Sequence, residues 1–211
     1  MNVIFEGMNG SGKTSIIRTL CDQFEKENIN YNRISDLSSQ APNGKKLGQL
    51  FLEHGPLLTN YDQKTSLLVT KYLIEDHIYI QENLIKSDSI NIFDRDIISL
   101  ISYQHELYKY EKIRAKEIEN LIMFYKNFKN KHYDLLVYID TALNECIKRA
   151  QERDGMQFSE TDKLLMSYIK EYMEQIVKEY HDKGTNTIHI NGENSLDESA
   201  SLVYEKVRSL K

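Results

Sequence analysis

Residues 7–14 read Gly-Met-Asn-Gly-Ser-Gly-Lys-Thr, which fits the glycine-rich pattern G-x-x-x-x-G-K-[ST]. Glycine at these positions allows backbone conformations that a Cβ would block, and it lets an anion approach the main-chain N–H groups closely. The pattern therefore predicts a tight loop whose N–H groups wrap a phosphate. Such a loop requires a strand before it and a helix after it.

The residues on both sides of the loop fit this requirement. Asn2–Glu6 is predicted to form a short strand, and apolar residues recur at helical spacing after the loop. We expect the loop to bind the phosphates of a nucleoside triphosphate. The predicted phosphate-binding residues are Asn9, Gly10, Ser11, Gly12, Lys13, Thr14 and Ser15.

The rest of the chain alternates between apolar runs and helical patterns. Further strands are predicted over Tyr31–Ile34, Ser89–Phe93, Leu135–Ile139 and Thr187–Ile190. Helices are predicted over Thr65–Ile85, Ile97–Lys109, Glu111–Lys129, Asn144–Glu152, Lys163–Tyr180 and Leu196–Leu210. This alternation predicts an α/β fold, a three-layer sandwich in which helices cover both faces of a five-stranded, mostly parallel sheet.

Length and composition limit the alternatives. The 211 residues suit one domain over the whole chain, and a net charge of −5 disfavours a nucleic-acid partner. A basic run with aromatic residues over Tyr108–Tyr133 is interpreted as an amphipathic helix, whose apolar stripe is either core or a dimer face. No leader or membrane-spanning segment is expected, so we predict a cytoplasmic protein without a membrane partner.

Side chains from two distant segments are predicted to complete a phosphate site. Lys13 is expected to reach the β- and γ-phosphates, and the Thr14 hydroxyl is expected to bind Mg²⁺. The motif Phe93-Asp94-Arg95-Asp96 follows a predicted strand, which would place the Asp94 carboxylate near the Mg²⁺ shell. The Arg95 fork would bridge donor and acceptor phosphates. An Asp–Arg pair can also be a surface ion pair, but beside the loop it favours a small kinase over a switch GTPase.

These segments resemble the thymidylate kinase family of nucleoside monophosphate kinases. Residues 5–15 are similar to the family stretch F-E-G-x-[DN]-G-[AS]-G-K-[ST]-[ST], and residues 94–104 to D-R-[YF]-x-x-S-x-x-A-Y-Q. The resemblance implies the P-loop kinase form of the three-layer sandwich, and an ATP- and Mg²⁺-dependent kinase that acts on dTMP or a related or modified pyrimidine nucleotide. It also implies a homodimer. It further implies that Glu6, Tyr103 and Gln104 bind the acceptor and that Asn191 lies near the adenine.

The acceptor site departs from the family pattern. The family helix L-L-F-x-A-x-R, whose Phe stacks on thymine and whose Arg holds the acceptor phosphate, reads Leu-Leu-Val-Thr-Lys-Tyr-Leu over residues 67–73. Val69 stands in place of the ring and Leu73 in place of the arginine. Tyr72 is a candidate replacement for the ring, so Val69 and Tyr72 are predicted acceptor contacts. The identity of the base therefore stays open.

A helical segment before Gly155 is the candidate lid, over about 148–160. Arg149 and Arg153 are four residues apart and share one helical face, from which they would close on the transferring phosphoryl group and stabilise its charge. The alternative is a solvated face on which Arg149 pairs with Glu145. Gly155 is a candidate hinge or helix C-cap.

Three functions remain possible from the sequence. The leading hypothesis is a deoxynucleoside monophosphate kinase, for which the anionic acceptor needs no general base. The second is a deoxynucleoside kinase that acts on a free 5′-hydroxyl, with Asp36 as the base and acceptor contact. The third is a nucleotide-binding module without transfer activity, which the intact Lys13, Thr14, Asp94 and Arg95 argue against.

Overall fold

The computed structural model describes residues 1–35, 41–54, 62–128, 133–155 and 157–210. The strands are β1 Asn2–Glu6, β2 Tyr31–Ser35, β3 Ile90–Asp94, β4 Leu135–Asp140 and β5 Thr187–Asn191. The helices of the described ranges are α1 Lys13–Lys26, α2 Gly44–His54, α3 Gln63–Asn83, α4 Ile97–Tyr110, α5 Ala115–Phe128, α6 Leu143–Asp154, α7 Glu160–Asp182 and α8 Leu196–Ser209.

The five strands form one sheet in the order β2-β3-β1-β4-β5. All four pairings are parallel, which confirms the predicted sheet and goes beyond the expectation of a mostly parallel one. In the central pair, Phe5 of β1 lies opposite Asp94 of β3. Because parallel strands end at the same edge, the glycine loop after β1 and the Asp-Arg segment after β3 leave the sheet side by side.

Alternate residues of β1 point to opposite faces of the sheet and thereby join two separate core clusters. Val3 and Phe5 pack in the cluster that contains residues of α1 and α8. Ile4 packs in the cluster on the other face, which contains residues of α3, α4, α5 and α7. Both faces of the sheet are therefore covered by helices, as the three-layer prediction required.

The glycine loop passes very close to helix α6. Gly10 has a φ of +81°, and a Cβ there would lie 2.2 Å from the carbonyl oxygen of Cys146. Gly12, with φ of +98°, is the last residue before α1 begins at Lys13. The sequence therefore needs glycine at these two positions for different reasons, one for space beside α6 and one for the backbone turn into α1.

The candidate lid segment has well-defined helix ends. Helix α6 ends at Gly155, which adopts the left-handed conformation with φ of +66° and acts as the predicted C-cap. Helix α7 begins after Ser159, whose side chain forms a reciprocal capping box with Asp162. Residue 156, between the two caps, lies outside the described residues.

The aromatic segment before β4 is mostly part of the core. Helix α5 begins at Ala115, four residues later than predicted, because Glu111 caps the end of α4. Ile113, Leu121 and Tyr125 are all buried within the chain, which assigns this part of the apolar stripe to the core. None of the described helices is long and apolar enough to cross a membrane.

Replacing Gly10 by alanine is expected to destabilise the protein far more than a change at another left-handed glycine. Gly184→Ala is the matched control, because Gly184 has φ of +88° with open space around its Cβ position. The control is expected to cost about 1–2 kcal/mol of unfolding free energy, and Gly10→Ala roughly 3 kcal/mol or more. Urea unfolding of both variants measures the difference, and equal losses would contradict the close packing of the loop on α6.

Candidate active site

A cavity of about 710 Å³ opens where the glycine loop and the tip of β3 leave the sheet. We call the part lined by the glycine loop and α1 the loop half, and the part lined by α2, α3 and α4 the α3–α4 half; α6 adds Arg149 and Arg153 to the lining. Residues of all three sequence motifs (the loop, the Asp-Arg segment and the lid segment) line this one cavity. Its volume is in the range of a small-molecule site.

Lys13 lies inside the glycine loop. Its Nζ atom donates hydrogen bonds to the carbonyl oxygens of Gly7 at 2.8 Å and Met8 at 2.9 Å, and to the Ser11 hydroxyl at 3.3 Å. The side chain is buried and these acceptors are neutral, so they position the ammonium without cancelling its charge. The loop thus combines a fixed positive charge with main-chain N–H groups, which suits phosphate.

Thr14 and Asp94 meet across the two central strands. The Thr14 hydroxyl donates to Asp94 Oδ2 at 2.8 Å, and the same carboxylate oxygen lies 3.7 Å from the Arg33 guanidinium. A hydroxyl and a carboxylate beside the phosphate loop are the hard oxygen ligands that Mg²⁺ prefers. The residues present therefore fit a magnesium ion at this place.

Arg95 is fixed by contacts on several sides. Its φ is +77°, a rare value for a residue with a Cβ, and its N–H donates to the carbonyl of Phe5 at 3.0 Å. The guanidinium donates to the Ser99 hydroxyl at 2.9 Å and lies 5.2 Å from the centre of the Tyr103 ring. A strained backbone at a charged residue in a cavity is typical of a functional position.

Glu6, a predicted acceptor contact, does not line the cavity and lies behind Arg95. The side chain is fully buried, and Oε1 accepts from the N–H groups of Asp96 at 2.9 Å and Ser99 at 3.1 Å, at the start of α4. Oε2 accepts a hydrogen bond from the Ser99 hydroxyl. Burial raises the pKa of Glu6 to about 7, against the lowering effects of Ser99, Arg95 and these hydrogen bonds. Glu6 therefore holds Ser99, and through it Arg95.

The two arginines of the candidate lid both reach the cavity. Arg149 donates to Glu145 at 2.7 Å, as the alternative interpretation expected, but also to the carbonyl of Gly192 at 3.2 Å. Arg153 pairs with its neighbour Asp154 and donates to Asn9 Oδ1 of the glycine loop at 3.1 Å. The backbone N–H of Asn9 in turn donates to the Tyr103 hydroxyl at 3.1 Å. Contacts thus run from α4 through the loop to α6.

The predicted acceptor contacts on α3 do not line the cavity. Val69 is completely buried, and Tyr72 lies under the Lys46 ammonium at 5.0 Å. The cavity face of α3 consists instead of Leu73, His77 and Ile80, which follow helical spacing. The expectation aligned the family's helix residue by residue, whereas the rotation of α3 about its axis decides which side chains face inward.

Of the other predicted contacts, some line the cavity and others do not. Tyr103 and Gln104 both line the cavity, and Gln104 Oε1 lies 2.5 Å from the Thr70 hydroxyl. Asn191 is exposed at the end of β5, where its side chain accepts from the N–H of Glu193, and it does not line the cavity. Asp36 lies outside the described residues.

Phe51 and His77 are among the cavity residues that the sequence reasoning missed. Phe51 supplies a ring from α2, and the apolar spacing of Leu47 and Phe51 was the available signal. His77 gave no signal, because a lone histidine on a helix is usually a packed residue. Its Nδ1 lies 3.0 Å from Oδ1 of the buried Asp96.

Asp96 stays ionised in spite of its burial. Burial by itself raises the pKa of a carboxyl group, but His77 and the hydrogen bonds from His77 and Tyr133 more than offset it and hold the pKa of Asp96 below its usual value. The Tyr133 hydroxyl donates at 2.6 Å and the Gln81 amide at 3.3 Å. This carboxylate therefore joins α3, the start of α4 and the segment before β4.

The chain is similar to known proteins in both sequence and structure. The thymidylate kinase family pattern matches residues 5–203. A probable thymidylate kinase of Methanococcus aeolicus is 26% identical over 81% of this chain and 76% of its own length, and one of Sulfurisphaera tokodaii is 25% identical over 82% and 80%. Among solved structures, deoxyadenosine kinase from M. mycoides with bound dATP has a TM-score of 0.74 at 16% identity, covering 99% of both chains. That likeness confirms the fold.

Replacing Glu6 by glutamine is expected to change how stability depends on pH. The folded protein keeps a proton on Glu6 up to about pH 7, whereas the unfolded chain releases it near 4.5, so wild-type stability falls as pH rises through this window. The contribution is about 3 kcal/mol, and Glu6→Gln should remove it. Urea unfolding between pH 4.5 and 8 measures the slope, with the exposed Glu119→Gln as control. Parallel curves for wild type and Glu6→Gln would contradict this assignment.

Proposed function

Because the chain belongs to the thymidylate kinase family and is a nucleotide kinase, we propose that it transfers the γ-phosphoryl group of ATP to a deoxynucleoside 5′-monophosphate. The observation that carries this proposal is the placement of Arg95. Its guanidinium is held by Ser99 and Tyr103 at the junction between the loop half of the cavity and the α3–α4 half. A planar cation at this junction can contact phosphates from both sides.

The proposed reaction needs positioning and charge neutralisation. An oxygen of the acceptor phosphate, already anionic near neutral pH, attacks the γ-phosphorus, and the bond from that phosphorus to the β–γ bridging oxygen breaks, which leaves ADP. Lys13 and the loop N–H groups hold the ATP phosphates, while Arg95, Arg149 and Arg153 surround the transferring group. Mg²⁺, held beside Thr14 and Asp94, would neutralise phosphate charge.

The α3–α4 half of the cavity is the proposed acceptor site. Leu73 and Leu100 supply apolar walls, Phe51 supplies the ring that Val69 lacks, and Gln104 offers an amide. An amide both donates and accepts, so it can read the edge of a base. These groups support an acceptor with a nucleoside moiety but do not indicate which base it carries. We propose a pyrimidine such as thymine because of the family to which the chain belongs.

A free deoxynucleoside is the second candidate acceptor. The observation in its favour is the apolar Leu73 on the cavity face of α3, where the family pattern has an arginine. An acceptor phosphate would find no positive charge at this position. Ser35, the last residue of β2, also lines the cavity, and Asp36 follows it directly in the chain. The M. mycoides relative in fold is itself named a deoxyadenosine kinase. A homodimer remains a prediction for either activity.

A coupled ADP-release assay with Mg·ATP is expected to show turnover with one or more deoxynucleoside monophosphates and little with nucleosides. Lys13→Ala is the blank, and we expect its activity to be at least about 100-fold lower, since the fixed charge on the phosphates is lost. Asp36→Asn should leave monophosphate turnover nearly unchanged. Turnover restricted to nucleosides and abolished by Asp36→Asn would replace the proposal by the second candidate. ATP binding without any turnover would indicate the non-catalytic module.

Removing either lid arginine is expected to affect the chemical step more than ATP binding. Arg149→Ala and Arg153→Ala should each lower kcat about 100-fold or more, because charge in the transition state loses a partner. Arg114→Ala is the matched control, since Arg114 is 82% exposed and pairs only locally with Glu117. Steady-state kinetics separates kcat from KM. A kcat within twofold of wild type for both lid variants would restore the interpretation of α6 as a solvated face.

A further inference from the structure

Two polar bridges connect α3 with α4 beside the cavity. At one end, Thr70 contacts Gln104 at 2.5 Å, and at the other, His77 contacts Asp96 at 3.0 Å. Thr70 and His77 are seven residues apart on one helix, which places the bridges about 10 Å from each other. Between them, Leu73 and Leu100 supply apolar lining, next to the polar Ser99 and Tyr103 of α4. The acceptor half of the cavity thus has apolar walls and a polar bridge at each end.

The His77 ring is fixed in both orientation and tautomer. Asp96 accepts from the Tyr133 hydroxyl on Oδ2 and from the Gln81 amide on Oδ1, so the contact from His77 Nδ1 to Oδ1 is that of a donor to a carboxylate. The ring also packs edge-on against Phe124 and Phe128, with centroids at 5.8 and 5.2 Å. Nδ1 therefore carries its proton toward Asp96.

The opposite nitrogen, Nε2, remains for a ligand. Within the described parts of the chain, no residue forms a hydrogen bond with it, although His77 is 93% buried and lines the cavity. Nε2 is not completely buried, so a molecule in the cavity can supply the missing partner, as the few polar groups of a binding site commonly do. We propose that the acceptor supplies this partner: His77 Nε2 contacts an oxygen atom at the sugar–phosphate end of the acceptor nucleotide. This inference rests on the proposed function and adds a residue to its acceptor site.

The residues beside each bridge indicate which end of the acceptor nucleotide lies there. Asp96 directly follows Arg95, the cation proposed to hold the acceptor phosphate, so the His77 bridge marks the phosphoryl end. Gln104, at the other end, has the donor and acceptor groups that suit a base. The distance between the bridges is comparable to the length of one nucleoside. A neutral ring accepts from a sugar hydroxyl and a charged ring donates to a phosphate oxygen, and both oxygens belong to the same end.

The alternative is that His77 serves only to connect α3 to Asp96. The two roles use different ring nitrogens, and two amide substitutions separate them. In His77→Asn the amide nitrogen takes the place of Nδ1 and keeps the bond to Asp96 while Nε2 is lost. In His77→Gln the amide nitrogen reaches the place of Nε2 while the donor to Asp96 is lost.

The proposal is tested by measuring acceptor binding to wild type and to both variants. Calorimetry is carried out with dTMP, dCMP and dAMP and with the matching nucleosides. Mg·ATP binding and thermal unfolding are measured in parallel. We expect His77→Asn to weaken the binding of the preferred acceptor by about tenfold or more, with Mg·ATP affinity and Tm close to wild type. His77→Gln should lose stability but keep more of the acceptor affinity. A loss confined to monophosphates assigns the contact to a phosphate oxygen, and a loss shared with nucleosides assigns it to a sugar hydroxyl.

Failure of the inference is distinguishable from failure of the proposed function. If wild type phosphorylates a monophosphate and His77→Asn binds it within twofold of wild type, the contact is overturned and the kinase assignment stands. The same holds if His77→Gln alone is impaired, which would make His77 a link between helices. If wild type neither binds nor phosphorylates any of these acceptors, both proposals are overturned.

Discussion

The parallel pairing of β1 with β3 is the constraint on which the cavity depends. It brings together two short motifs that are 80 residues apart in the chain, so that Thr14 and Asp94 form a direct hydrogen bond at 2.8 Å. Neither motif by itself supplies all the oxygen and nitrogen groups that line the cavity. A parallel sheet solves this because its strands all end at one edge, and helices that return over both faces leave that edge open.

Two buried carboxylates near this edge are stabilised in opposite ways. Glu6 is surrounded by the start of α4, and its burial dominates, so its pKa lies well above the usual range at about 7. Asp96 has His77 and Tyr133 as close partners, and its pKa is lowered. The outcome differs because the contacts of Asp96 with His77 and Tyr133 more than offset desolvation, whereas Arg95 and the hydrogen bonds around Glu6 offset only part of it. Both carboxylates act on neighbours: Glu6 holds Ser99, and Asp96 orients His77.

Much of the fold could be predicted from local patterns. The five strands, the long helices and the parallel order follow from apolar periodicity and from the strand–loop–helix requirement, and the structure confirms them within a few residues. The loop side chains and the Asp-Arg segment could be placed because their motifs fix the backbone. The acceptor wall could not, because it depends on how far α3 is rotated about its axis, and that rotation is set by packing against α4 and α5. The sequence therefore predicts Val69 and Tyr72 as acceptor contacts, whereas Leu73 and His77 line the cavity. No local pattern relates His77 to Asp96.

The contact between Gly10 and α6 also determines which part of the lid segment can move. The Cβ position of Gly10 lies within 3.2 Å of backbone atoms of Cys146 and Ala150, so the first two turns of α6 pack closely against the phosphate loop. Arg149 lies in this closely packed part of α6. Arg153 lies one turn farther on, next to the left-handed Gly155. If the lid segment closes on a bound nucleotide, we therefore expect the pivot to lie beyond Ala150, which would leave Arg149 in place and move Arg153.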